Sequence, residues 1–149
     1  MKYFLGILIF FAWLWYSLLI SAEWRPYGAL MFIDPIVIIG LLVAMYSVMV
    51  MTGEVKTFVM GVNAMCLKDY EISKEDIDEA IDLFELLKKT VFCASLLYCM
   101  MGIIFIMFDI YDFAMIGRYM AISVLSVFYG ALINMAFLNP GIAILKKRR

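Results

Sequence analysis

Four stretches of the chain carry no charged residue over lengths that match a bilayer crossing: Tyr3 to Ala22, Pro35 to Gly53, Thr90 to Phe108 and Tyr119 to Leu145. A helix needs about 20 mainly apolar residues to span the hydrocarbon. Within lipid, a single uninterrupted segment satisfies its own backbone polar groups only as a helix. The expected fold is therefore an all-α integral membrane protein. Its four transmembrane helices form two hairpins, with a short amphipathic cytoplasmic helix between spans 2 and 3. Composition agrees, at 66% hydrophobic and 17% charged residues, against about 45–50% and 25% for soluble domains. The first stretch exceeds the apolar core of about 7–15 residues in a signal peptide, and Ile20-Ser21-Ala22 is a poor cleavage site. It is read as a span.

Organisation follows from these spans. Residues 1–53 form an N-terminal hairpin (spans 3–22 and 35–53), 54–89 an acidic segment, 90–145 a second hairpin (spans 90–108 and 119–145), and 146–149 a basic tail. Ten of the twelve Lys and Arg residues fall on the side that holds both termini and the middle segment; only Arg25 and Arg118 fall on the other. The positive-inside rule then makes both termini cytoplasmic. Lys146, Lys147, Arg148 and Arg149 read as a topology anchor beside anionic lipid.

The middle segment holds nine of the thirteen acidic residues. Ser73 followed by Asp76 resembles a helix N-cap. Ile77, Ala80, Ile81 and Phe84 lie on one face at helical spacing. An amphipathic helix is expected over 74–89, continuing into the third span. Its apolar face needs a partner, either Val55 to Leu67 of the same chain or a neighbouring subunit. Its charges form a solvated face or a docking surface, with Glu75, Asp78, Glu79, Asp82, Lys88 and Lys89 as the docking candidates.

Several function classes lack their residues. The chain has no His, so His-based acid–base chemistry and His-ligated zinc are out of reach. Cys66, Cys93 and Cys99 have no CxxC spacing and read as small apolar residues. A formal charge of −1 gives no footprint for nucleic acid. No nucleophile lies near a base, so no enzyme and no cofactor are expected. No span carries an internal Asp, Glu, Lys or Arg, the usual mark of an ion relay. Asp34, Asp109 and Asp112 are placed at the outer boundary, near water. Trp13, Trp15, Trp24, Tyr3 and Tyr27 read as packing and interface residues of two largely lipid-facing spans.

The last two spans are patterned. Ser95, Cys99 and Gly102 share one face of the third; Ser123, Ser126, Gly130 and Asn134 share one face of the fourth. Small, weakly polar stripes let helices approach closely. They serve helix packing, or they line a path filled by a partner that brings its own charge.

The stretch from Asp112 to Pro140, DFAMIGRYMAISVLSVFYGALINMAFLNP, resembles the last span of the MotA/TolQ/ExbB proton-channel family, with the flagellar stator subunit MotA as the nearest likeness. The matching elements are Asp112, Ile116-Gly117, Met120-Ala121, Tyr129-Gly130-Ala131-Leu132 and Pro140. Phe32 to Pro35 (FIDP) with Gly40, and Glu75 to Lys89 (EDIDEAIDLFELLKK), are similar to the MotA hairpin and to the acidic helix after it. The resemblance implies a pentameric ring in the bacterial inner membrane around single-span MotB/ExbD-like helices that supply the proton-carrying Asp. A ring mixed with a longer MotA-like subunit is a variant of this. It implies that Cys99, Ser126, Ser95 and Ser123 line the ion path, and that Gly102, Gly130, Asn134 and Pro140 serve packing. The chain departs from the family pattern at Phe92, Tyr98-Cys99, Phe113 and Val127, and its cytoplasmic segment is shorter. These departures favour the alternative of a non-conducting scaffold that docks a partner through its acidic helix.

Overall fold

The computed structural model describes residues 2–21, 33–67, 70, 72–108 and 113–149. Of these, 93% are helical, and no strand occurs among the described residues. The elements are α1 (Lys2–Ser21), α2 (Pro35–Thr52), α3 (Val55–Cys66), α4 (Lys74–Phe108), α5 (Phe113–Ile133), a π-helical turn (Asn134–Leu138) and α6 (Asn139–Arg148). Three helical segments, Pro35–Thr52, Lys74–Phe108 and Met115–Arg148, are long and apolar enough to cross a membrane.

Local chemistry explains the boundaries. The Asp34 carboxylate accepts the backbone N–H groups of Ile36 (2.9 Å) and Val37 (3.3 Å), and Pro35 occupies the first turn, where its missing N–H costs nothing. Gly53 ends α2 in the left-handed region, with φ of 73°, where a side chain is strained. Ser73 caps α4 by accepting the Asp76 N–H at 3.1 Å, while its hydroxyl donates to the Asp76 carboxylate at 2.7 Å. The amphipathic helix and the third span are one continuous rod of 35 residues.

The fourth span differs from expectation in two ways. Its helix starts at Phe113 rather than 119, running through Arg118, because a charge at an interface does not interrupt backbone hydrogen bonding. It also contains a π turn, in which the Asn139 N–H bonds the Asn134 carbonyl. Pro140 follows at once. A proline ring inside an α-helix clashes with the carbonyl four residues back, and widening that turn relieves the clash.

Two apolar clusters hold the chain together. At the charged end, Phe84 is fully buried and lies between Phe58 (stacked, 5.6 Å) and Phe137 (6.0 Å). Leu87, Val91, Leu138, Ile142, Leu145, Met45 and Met49 complete this cluster. The apolar face of α4 is thus covered by α3 of the same chain, which decides between the two partners open to it. The second cluster joins Val37 and Leu41 of α2 to Leu125 and Tyr129 of α5.

α2 accordingly buries the stripe Val37, Leu41, Met45 and Met49, so it is not lipid-facing all round. Ile36, Ile39, Leu42, Val43 and Tyr46 on its other faces are exposed, as are Trp13 and Trp15 of α1. Asp34 is not level with the start of α5 at Phe113. Its backbone N–H donates to the Tyr129 hydroxyl at 2.8 Å, and Tyr129 lies about four and a half turns into α5, roughly 24 Å along the axis. Gly40 fixes the same register, because a Cβ there would overlap the Tyr98 ring. Trp24, Tyr27, Arg25, Phe32, Asp109, Asp112 and the side chain of Tyr3 lie outside the described residues.

Candidate functional site

The two small-residue stripes meet face to face. Gly102 on α4 receives Ser123 of α5, and a Cβ on Gly102 would overlap the Ser123 hydroxyl and lie 2.9 Å from the Tyr119 carbonyl. About two turns away, Gly130 of α5 receives Ser95 of α4, whose Cβ and Oγ would both lie 2.6 Å from an added Cβ. The glycines are therefore what permits the close approach of these helices.

The serines are shut inside this contact. Ser95, Ser123 and Ser126 are 2%, 6% and 0% exposed. Each hydroxyl donates to its own helix: Ser95 to the Phe92 carbonyl (2.8 Å), Ser123 to Tyr119 (2.9 Å) and Ser126 to Ser123 (2.8 Å). Such back-bonding satisfies a buried hydroxyl without a cross-helix partner. Within one protomer, Ser126 lines no open space.

Cys99 behaves differently. It is half-buried and stands at the edge of an open groove of about 640 Å³ between α4 and α5. Ile103, Ile106, Met120, Val124 and Val127 make the rest of the groove almost wholly apolar, and Ser123 reaches its wall. Among the described residues, no carboxylate lines it. Asn134 starts the π turn, and its buried side-chain oxygen Oδ1 has no hydrogen-bond partner. Among the described residues, no group of His, Cys, Asp or Glu has the arrangement of a metal site.

At the charged end, the candidate docking residues divide. Asp78 pairs with Arg149 (Oδ1–Nε 3.0 Å). Glu75, Glu79 and Asp82 stay exposed on the outer face of α4. Lys88 and Lys89 are also exposed. Glu85, which the sequence did not single out, pairs with Lys146 at 3.0 Å. The Lys146 hydrogen bond and charge hold the Glu85 carboxyl below its ordinary range, with smaller help from Lys89 and Lys88. Arg148 donates to the Leu67 carbonyl at 2.7 Å. Lys146, Arg148 and Arg149 of the basic tail thus reach α4 and the end of α3. Opposite charges in the acidic helix and the tail were the available signal, but they are separated by some 60 residues.

No protein-family model, no curated protein and no solved structure matches the chain.

Proposed function

We propose that the chain is a MotA-like subunit of an ion-driven, stator-type complex of the bacterial inner membrane, in which copies form a ring around a single-span MotB/ExbD-like partner. In this reading α1 and α2 form the outer hairpin, α4 and α5 to α6 the inner one, and both termini are cytoplasmic. The groove on the α4–α5 pair is the observation that carries it. It is open, apolar, edged by Cys99 and Ser123, and has no carboxylate in its lining among the described residues. A partner helix seated there would supply the titratable group that these spans lack. The family resemblance of the sequence from Asp112 to Pro140 points the same way.

Native mass spectrometry of the tagged protein extracted from its own membranes tests this reading. The expected species has five copies of this chain with two copies of a single-span protein bearing a membrane Asp. Gly130→Leu is expected to abolish that species. A ring without such a partner would overturn the channel reading.

The second reading is a non-conducting scaffold of the same architecture. The bonding of Ser95, Ser123 and Ser126 to their own helices favours it, since a path needs hydroxyls that face it. In that case Glu75, Glu79 and Asp82 present the docking surface. A Glu75→Gln/Glu79→Gln/Asp82→Asn variant would then lose a soluble partner while keeping its oligomeric state.

A further inference from the structure

A second cleft, of about 390 Å³, lies between α4 and α6 at the charged end. Its position follows from two charge-free runs ending together. Lys88 and Lys89 immediately precede the apolar run from Thr90, and Lys146 immediately follows the one ending at Leu145. The Lys146–Glu85 pair sets the end of α6 beside the stretch of α4 where its apolar run begins. Three lysines from two helices therefore converge at the level where apolar helix surface gives way to charged surface.

The lining is graded. Glu85 and the three lysines form the charged end, with Glu85 as the single acidic residue lining the cleft. Lys146 is already paired, whereas Lys88 and Lys89 have no ion pair among the described residues. Ile142 and Ala143 form an apolar floor, and Asn139 supplies a side-chain amide one turn nearer the middle of the apolar run. Three cations against one anion leave an excess of two positive charges in a concave site.

We propose that this cleft holds the headgroup of an anionic phospholipid. The phosphate would sit between Lys88, Lys89 and Lys146, and the glycerol would lie over Ile142 and Ala143 toward Asn139. Charge complementarity selects an anionic ligand. The apolar floor of Ile142 and Ala143, at the end of a charge-free run long enough to cross a membrane, selects a lipid over a soluble anion. Lysine stems reach along apolar surface while their ammonium groups stay at the polar boundary, and basic pockets between helices at such a boundary suit lipid phosphates.

The test uses the full chain in detergent, titrated with short-chain phosphatidylglycerol or phosphatidylcholine and followed by native mass spectrometry. Phosphatidylglycerol is expected to bind in preference to phosphatidylcholine. The Lys88→Gln/Lys89→Gln variant is expected to bind it about 30-fold more weakly, from the usual contribution of two cations beside an anionic lipid. Lys56→Gln/Lys147→Gln, with the same change of charge outside the cleft, is expected to bind as the parent does. Ala143→Trp fills the floor without altering any charge, and is expected to reduce binding as well. Equal loss in the two double-lysine variants would overturn the site in favour of diffuse surface charge. Displacement of the lipid by millimolar inorganic phosphate would overturn the lipid assignment in favour of a free anion. Binding unchanged in Ala143→Trp would overturn the placement in the cleft.

Discussion

The Tyr129 hydroxyl accepts the backbone N–H of Asp34 at 2.8 Å, and this one bond links the first residue before α2 to the last part of α5. Removing the hydroxyl in Tyr129→Phe leaves that N–H without its acceptor. The expected loss is about 1 kcal/mol, the ordinary net worth of such a bond. Unfolding of the protein in mixed micelles by added dodecyl sulfate measures it. Stability equal to the parent would show that water or another group takes over.

The α4–α5 contact predicts a compensating pair. Gly130→Ala places a methyl 2.6 Å from Ser95 and is expected to cost about 1–3 kcal/mol, as overpacking does. Ser95→Gly removes the obstructing atoms, so the double variant should recover most of that loss. A double-mutant cycle in the same unfolding assay reads the coupling. Additive losses would mean that the two residues do not meet.

Phe84 joins α3, α4 and the π turn through its ring contacts with Phe58 and Phe137. Phe84→Ala is expected to destabilise the chain by about 3–5 kcal/mol. Limited proteolysis should then release the region around α3 before the longer helices are cut.

Glu85 gives a pH dependence with a defined sign. Its carboxyl is held below the ordinary value of 4.5 by Lys146, so the folded state binds this proton less readily than the unfolded chain. The stabilisation from the pair is therefore complete above about pH 4.5 and is lost as the pH falls below it. Glu85→Gln should be less stable than the parent at neutral pH, and the difference should shrink as the pH falls below 4.5. A difference that persists in acid would mean that Glu85 acts through packing rather than charge.

What the sequence revealed, and what it hid, divides by range. Ser73 and Asp76 are three residues apart, so their cap was legible, and so was the continuity of the rod that it opens. Lengths of charge-free sequence located α2 and the far end of α4 to within a residue. Helical spacing put Ser95 with Gly102 on one face of α4 and Ser123 with Gly130 on one face of α5, but did not give the pairing of the two faces, which the structure supplies. Depth and register were hidden. The stagger of α2 depends on Tyr98 and Tyr129 meeting Gly40 and Asp34 across distant parts of the chain, which no local pattern records. The tail's contacts with Glu85, Asp78 and Leu67 were hidden for the same reason. α3 was missed because Val55, Thr57, Val59, Gly61, Val62 and Asn63 are weak helix formers, and it is the packing of Phe58 and Gly61 against Phe84 that makes this segment helical. Arg118 misled the boundary of α5, since charge marks where lipid ends and not where a helix does.

The π turn at Asn134–Leu138 acts on the tail at a distance. A π turn closes its hydrogen bond one residue further along than an α turn does, so the turn sets the rotational phase of all that follows it. Deleting one residue there, Met135 for example, would restore α geometry and rotate everything beyond it by about 100°. Lys146, Arg148 and Arg149 would swing together away from Glu85, Leu67 and Asp78. The length of this short stretch is therefore under tighter constraint than its composition: substitutions at exposed Met135 touch little, whereas the loss of one codon unfastens the whole tail.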